Sequence, residues 1–373
     1  MADPDYQQVY SSDSYAARYE PEKGFYPNDD RAFHRPGYFY DNLTGLDEIQ
    51  VGEHGFRGRA LLDSGETAGL VVEVVGTGLL RLRLWQGAEC YQATSPMIPL
   101  LPEAAPKVTV EQSPAVLEMC WDGYCLRIPR DAFDLQIIDP SGQAIFGLDT
   151  EKIAGKYVSP PLGFRKQGAE ERWPYLSWMI DGIQRYFGFG EKWNKVEKSS
   201  TRATIWSADT GGSNTNLLAY KSVPVIYSTA GWGLVLHSSY RSYWDVGTFS
   251  YTSGALLSEE ANLDVFFLLA PTLKGLIERY TALSGRPGLP PKWALGVWMS
   301  RCAYPNQQVV IEIVDQMRCE QIPFDVIHLD PAWMKNHYYP LIGVDACDFD
   351  WDWSTFPEPV SYTHLTLPTN REV

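Results

Sequence analysis

The feature that most constrains this chain is a change of period near residue 270. From about residue 46 apolar and polar residues alternate in short runs separated by turn residues, and beyond residue 272 the apolar residues recur at helical spacing. GLVVEVVGTGLLRLRLW holds two alternating runs joined by Gly76-Thr77-Gly78, a hairpin signal. VLEMCWDGYCLRI repeats the device around Asp122-Gly123, and FDLQIIDPSGQAIFGL around Asp139-Pro140-Ser141-Gly142. VPVIYSTAGWGLVLHS turns near Gly231 and Gly233, and LDVFFLLA closes the region. Many short strands between turns predict an antiparallel β-sandwich over residues 46–272. Residues 1–45, polar, tyrosine-rich and aperiodic, read as an extension draped over a neighbour.

Leu273, Leu276, Ile277, Tyr280 and Leu283 then predict a helix, stopped by Ser284-Gly285, and GRPGLPPKW predicts a stiff connector, so residues 273–291 read as helix and linker. WALGVWMS predicts a buried strand. Asn306 can cap a helix carrying Val309, Val310, Ile313, Val314 and Met317 on one face. After Ile322-Pro323, FDVIHLD predicts a second buried strand. Strand, helix, strand is one βαβ unit, the seed of a parallel sheet over residues 292–359. About 70 residues fall well short of the roughly 250 of a full (β/α)₈ barrel, so only its first strands are expected.

With 31 basic against 46 acidic side chains the net charge is −15. A nucleic-acid partner is therefore not expected, because that binding rests on Lys and Arg neutralising phosphates. MADPDYQQVYSSDS has neither a basic nor an apolar leader region, and the apolar run near Val265 to Ala270 is too short to span a bilayer. Six cysteines without framework or zinc spacing read as reduced, packed thiols, so a soluble, cytoplasmic protein is expected. Asn42-Leu43-Thr44 is a glycosylation sequon, idle in that setting. The 13 Trp, 22 Tyr and 15 Phe suit either a packed aromatic core or ring platforms for sugars.

In parallel α/β domains functional side chains sit at the carboxyl ends of strands, here Ser300-Arg301 and Asp330. A carboxylate ending an apolar strand before Pro331-Ala332-Trp333 is costly unless it caps a helix or binds something. Trp333 reads as a sugar platform or as a lid. FGFGEKW, from Phe187 to Trp193, lacks the third glycine of a dinucleotide loop. Asp348, Asp350 and Asp352 alternate like a Ca²⁺ loop, but Trp353 stands where glycine is required and Pro359 where the bidentate glutamate would be, so a solvated loop is expected. The histidines His34, His54, His237, His328, His337 and His364 are scattered; His328 reads as packed, and His54 and His237 form no recognisable pairing. No metal site and no cofactor is expected.

FGFGEKWNKVEK, YKSVPVIYS, LPPKWALGVWMSR, FDVIHLDPAWMK and DFDWDWSTFPEP, in that order, resemble family 31 glycoside hydrolases from about residue 50 to Pro359. The resemblance implies a galactose-mutarotase-like sandwich, then a (β/α)₈ barrel, and removal of α-linked glucose or xylose with retention. It implies that Asp330 hydrogen-bonds sugar hydroxyls, that Trp333, Met334 and Lys335 shape the mouth of the site, and that Phe189 and Glu191 bring the sandwich near it. The string from His328 to Met334 is closer to the α-xylosidase branch than to the α-glucosidase branch. An α-linked oligosaccharide or xyloside is the implied partner, and family members assemble, which makes a homo-oligomer an implied state. A retaining mechanism needs two carboxylates roughly 5–5.5 Å apart. In the family both are aspartates on later barrel strands, and no matching string follows Asp330 here.

Residues 360–373 fit neither period, and SYTHL from Ser361 to Leu365 is what a transposon-end sequencing adapter encodes. That segment is expected to carry no fold. The 373-residue chain is accordingly expected to be an inactive fragment of an α-glycosidase. The competing reading is a non-catalytic carbohydrate-binding sandwich.

Overall fold

A computed structural model describes residues 39–87, 95–99, 105–130, 133–153, 156–157, 159–167, 171–208, 218–301, 304–335 and 349–358. The extension to residue 38, the segment 360–373, Cys90, Cys302, Cys347, His34, His337, His364 and Asp348 lie outside the described residues. The chain divides into two units, one ending at Arg286 and one resuming at Pro287.

The first unit is a β-sandwich whose principal sheet runs through thirteen strands and folds back on itself. The strand Phe39–Val51 makes the corner. Phe39 to Asn42 pair with Lys166 to Gly163, whereas Leu43 to Val51 pair with Leu62 to Phe56. Asp41, fully buried, pins this change of sheet, accepting from Lys166 Nζ at 2.6 Å and from Ser64 Oγ at 2.7 Å. Strand structure thus begins at Phe39 rather than at residue 46, because the corner buries Asp41, Asn42 and Leu43. The Asn42 side chain of the sequon is engaged twice, donating to Asp63 Oδ2 at 2.8 Å and accepting from Tyr175 OH at 2.7 Å.

The hairpins fall where the turn residues put them. Thr67–Gly76 pairs with Leu79–Trp85, and Ser222–Ser228 with Trp232–Leu236. Val116–Trp121 pairs with Tyr124–Pro129 across Asp122 (φ 46°) and Gly123 (φ 83°), the two left-handed residues of a type I′ turn. Between the sheets, Trp232 packs edge-on against Trp178 (5.8 Å between centroids) and Phe146 (5.1 Å), and Phe189 against Trp244 (5.4 Å). Much of the aromatic excess is core packing.

One expectation fails inside a hairpin. Cys120 and Cys125 are not free thiols but a disulfide. The two-residue turn makes them direct cross-strand partners with Cα atoms 4.1 Å apart, the closer of the two antiparallel pair types. The route from reduced cysteines to a cytosolic setting falls with it. Among the described residues no helix is long and apolar enough to cross a membrane.

Helix α1 (Leu273–Ser284) is capped by Thr272, whose Oγ1 accepts from Gly275 N, and it stops at Gly285 in a left-handed φ of 94°. Its buried residues Leu276 and Leu283 join Leu79, Val235, Phe266 and Leu268 on the outer face of the sheet. The helix is therefore part of the sandwich unit, and only the proline-rich stretch after Arg286 serves as connector.

The second unit holds one βαβ element. Trp298–Ser300 and Val326–His328 pair in parallel, with helix α2 (Gln307–Cys319) between them in sequence. Asn306 caps α2 through Oδ1, accepting from Val309 N at 3.1 Å, and Val310, Val314 and Met317 are its buried face. Asn306→Ala is expected to cost about 1 kcal/mol of helix stability. Amide exchange at Val309 would then run about fivefold faster, and unchanged exchange would refute the cap. The strands exist but are not buried as expected: Trp298 is 49% and Val297 50% exposed. A parallel strand is buried only when both faces and both neighbours are covered.

Candidate active site

The parallel register Ser300↔His328 brings the carboxyl ends of the two strands of the second unit together. Ser300 Oγ lies 3.4 Å from His328 Nδ1, and the His328 ring lies 6.3 Å from Trp298. His328 is exposed, not packed as expected. Two residues on, Asp330 is half-buried, and among the described residues no hydrogen bond or ion pair engages its carboxylate. The turn Pro331–Trp333 follows at once, so Asp330 sits where an apolar strand becomes a tight turn.

Beyond it the backbone is strapped. Asp352 N donates to Trp333 O at 3.0 Å and Lys335 N to Asp350 O at 2.9 Å. The Trp333 ring lies on Trp351 at 5.1 Å and 32°, within a cluster that includes Tyr304, Val310 and Phe356. Trp351 is itself fixed, Nε1 donating to Phe356 O at 2.7 Å. Trp333 is half-buried, and Lys335 is exposed, 3.8 Å from Asp350. Met334, expected at the mouth of the site, is 5% exposed and bridges through its backbone to Trp351. Asp352 accepts from Ser354 Oγ at 2.6 Å and Ser354 N at 2.9 Å, which holds its carboxyl below the ordinary range.

The FGFGE string of the sandwich unit belongs to a strand, Tyr186–Gly190, with a shift of register between Gly188 and Gly190. Three successive residues are left-handed there, Gly188 at φ 134°, Phe189 at 68° and Gly190 at 72°. A Cβ at Gly188 would stand 2.2 Å from Val225 O, and one at Gly190 2.3 Å from Lys221 O. The glycines answer to close strand packing, not to a nucleotide. Phe189, expected in the sandwich's contribution near the pocket, has its ring wholly buried on Trp244. Glu191 is exposed and pairs with Lys221 at 3.2 Å.

Beside this bulge the sandwich has an open cleft of ≈ 450 Å³ whose lining includes Lys192, Lys198, Val223, Tyr227 and Tyr280. Sequence reasoning missed both lysines, because nothing local distinguishes them from solvated ones. Burial, aided by the nearby Lys198 cation, pushes Lys192 down to about 8. Its ammonium donates to Thr204 O at 2.7 Å and Ser222 Oγ at 2.9 Å. Lys198 is also lowered by burial, against the opposing pull of Glu197, and donates to Asn194 Oδ1 at 2.6 Å. Among the described residues one cluster has metal-ligand spacing, Glu118 with Cys120 and Cys125, but both sulfurs are in the disulfide and Glu118 pairs with Arg127.

Comparison with known proteins identifies the two units. The glycosyl hydrolase 31 N-terminal galactose mutarotase-like domain matches residues 70–245, and the glycosyl hydrolases family 31 TIM-barrel domain matches residues 287–368, past Pro359. A mutarotase-like sandwich leading into part of a barrel is thus the fold of this chain. The chain belongs to glycoside hydrolase family 31. The alpha-xylosidase XylQ of Lactiplantibacillus pentosus is 30% identical over 186 residues, 49% of this chain and 23% of that protein. Alpha-glucosidase 2 of Bacillus thermoamyloliquefaciens is 33% identical over 165 residues, 43% of this chain and 21% of that protein. The chain therefore spans about a quarter or less of the length of these curated relatives. Among solved structures, a family 31 dextranase of Flavobacterium johnsoniae complexed with isomaltotriose superposes with a TM-score of 0.72 at 21% identity, covering 87% of this chain and 37% of that one. An alpha-xylosidase from a soil metagenome complexed with xylose gives 0.65 at 15% identity, covering 85% and 45%.

Proposed function

We propose that this chain is the N-terminal part of a retaining α-glycosidase that acts on α-linked xylosides, with Asp330 binding the hydroxyls of the terminal sugar. The observation that carries the reading is Asp330 itself, a half-buried carboxylate at the carboxyl end of a parallel strand in the barrel-domain region, with no partner among the described residues. A carboxylate so placed is an acceptor for two adjacent hydroxyls, and charge-assisted bonds of that kind are short and strong. The half-buried Trp333 ring and the exposed Lys335 ammonium are the neighbouring groups for the aglycone side. Family membership, with relatives named as α-xylosidases and α-glucosidases, supports α-glycosides as the substrate class, and the string from His328 to Met334 is what sets xylose before glucose in this reading.

The chemistry of such an enzyme takes a nucleophilic carboxylate and an acid/base carboxylate, roughly 5–5.5 Å apart for retention. Neither role is given to a residue of this chain, and the 373-residue polypeptide is expected to leave an aryl α-xyloside unhydrolysed. A genomic read past the codon for Pro359 tests the reading directly. A frame that runs on into further barrel strands, with a polypeptide that prefers an aryl α-xyloside to the α-glucoside, is the expected result. A frame that stops soon after Pro359 would overturn it in favour of a sugar-binding sandwich.

A further inference from the structure

The sandwich unit contains a serine, a histidine and an aspartate in series, and the glycosidase reading uses none of them. Ser95 Oγ lies 2.7 Å from His237 Nε2, and His237 Nδ1 lies 3.0 Å from Asp264 Oδ2. Asp264 is 1% and His237 3% exposed, while Ser95 is half-buried at the surface end of the series. The aspartate is held from behind by Arg81, whose Nε and Nη2 donate to Oδ1 at 2.8 Å and Oδ2 at 2.6 Å. The histidine backbone is held as well, His237 N donating to Asp264 O at 2.8 Å, and its ring stands edge-on to Phe266 at 5.9 Å.

The directions of the hydrogen bonds follow from this frame. The Asp264 carboxyl stays ionised: burial would raise it, but the bonds from Arg81 and His237 outweigh burial and hold it below its ordinary value. An ionised carboxylate only accepts, so Nδ1 donates to it, and a ring with a single proton then presents its lone pair at Nε2. Ser95 then donates its hydroxyl proton to Nε2, while Met97 N donates to Oγ at 3.2 Å. A hydroxyl donating to a base that is oriented by a third group is the arrangement of an activated nucleophile, recognised by geometry rather than by position in sequence.

We propose that Ser95 is a nucleophilic serine, with His237 as its base and Asp264 as the residue positioning that base, and that the sandwich carries a second site for small carboxylic esters. Ser95 Oγ bonds to the ester carbonyl carbon as its proton passes to His237 Nε2. The bond from that carbon to the alkoxy oxygen breaks, and the proton leaves on the departing alcohol. Water then adds to the acyl-serine, its proton is taken by the same nitrogen and returned to Oγ, and the carboxylic acid is released. Met97 N–H, 3.2 Å from Oγ, holds the serine oxygen in place.

A fluorophosphonate probe tests this on the intact 373-residue chain, since it transfers a phosphonyl group to activated serines with loss of fluoride. The expected result is one adduct, mapped to the peptide containing Ser95, with labelling slowed roughly 10²-fold or more in His237→Gln. If His237→Gln fails to fold, Ser95→Cys replaces it. The thiol so introduced, paired with His237, is expected to be alkylated by iodoacetamide much faster than the exposed Cys319. An unlabelled Ser95, in a tube where a control serine hydrolase is fully labelled, would overturn the proposal. So would labelling that His237→Gln leaves unchanged, or a Ser95→Cys thiol no faster than Cys319. Ser95 would then be a pin that ties residues 95–98 to the sheet.

Discussion

Asp264→Ala is expected to destabilise the sandwich unit by about 3–5 kcal/mol, the cost of removing one partner from a buried ion pair. The magnitude follows from what the carboxylate holds. Asp264 takes two bonds from Arg81 and one from His237, and Arg81 is itself only 7% exposed. Removing the carboxylate leaves a guanidinium inside the protein, with Glu73 at 3.9 Å and the Phe266 ring 5.0 Å away. Replacing the pair together, as Arg81→Met with Asp264→Leu, should recover a large part of the loss, because the desolvation of both charges disappears with their attraction. Denaturant melts of the parent chain, Asp264→Ala and the double variant measure this. Equal losses in the single and double variants would show that the ion pair is not what the fold depends on.

The same pair sets an acid limit. Asp264 is held below its ordinary value of 3.8 in the folded chain, so its contribution to stability is fully present above that value. It is lost as the pH falls through the folded value, where the carboxyl takes up its proton and releases Arg81. Asp264→Ala should therefore flatten the acid limb of the stability profile as well as lower its plateau. A variant that lost the plateau but kept the full acid limb would place the acid sensitivity on other carboxylates.

How much of this was legible from the chain depends on the range of each interaction. Gly76-Thr77-Gly78 and Asp122-Gly123 announce their hairpins because turn chemistry is local, and Asn306 announces α2 because a cap acts across three residues. Asp330 was legible for the same reason: an apolar strand ending in a carboxylate can be read within a few residues. The Arg81–Asp264 pair spans 183 residues and the Ser95–His237 contact 142, so no local pattern could mark His237 as anything but isolated. Cys120 and Cys125 were within reach, since a two-residue turn fixes the register that opposes them, but cysteine spacing alone does not encode register. The packing of Phe189 and Met334 was not legible. Both stand in strings that the family resemblance ties to the site, yet their side chains are consumed by packing on Trp244 and in the interior beside Trp351. The exposed strand Trp298–Ser300 shows the converse, because its apolar run answers to neighbours that two strands and one helix do not supply.

Asp330→Ala should separate function from folding. In the 373-residue chain it is expected to leave the melting of both units unchanged within about 0.5 kcal/mol, since the half-buried carboxylate holds no other described residue in place. In an α-glycosidase extended to the length of its relatives the effect should be large. Two bonds from sugar hydroxyls to a carboxylate are worth about 1.5–3 kcal/mol each, so kcat/KM for an aryl α-xyloside should fall roughly 10²- to 10⁴-fold. Where that loss falls says what the residue does. A fall in kcat at nearly constant KM means the contacts tighten as the sugar flattens toward an oxocarbenium-like transition state, which is the expected outcome. A rise in KM alone would make Asp330 an anchor that binds ground and transition states equally. An intact kcat/KM would remove Asp330 from the site, and with it the observation on which the glycosidase reading of this chain rests.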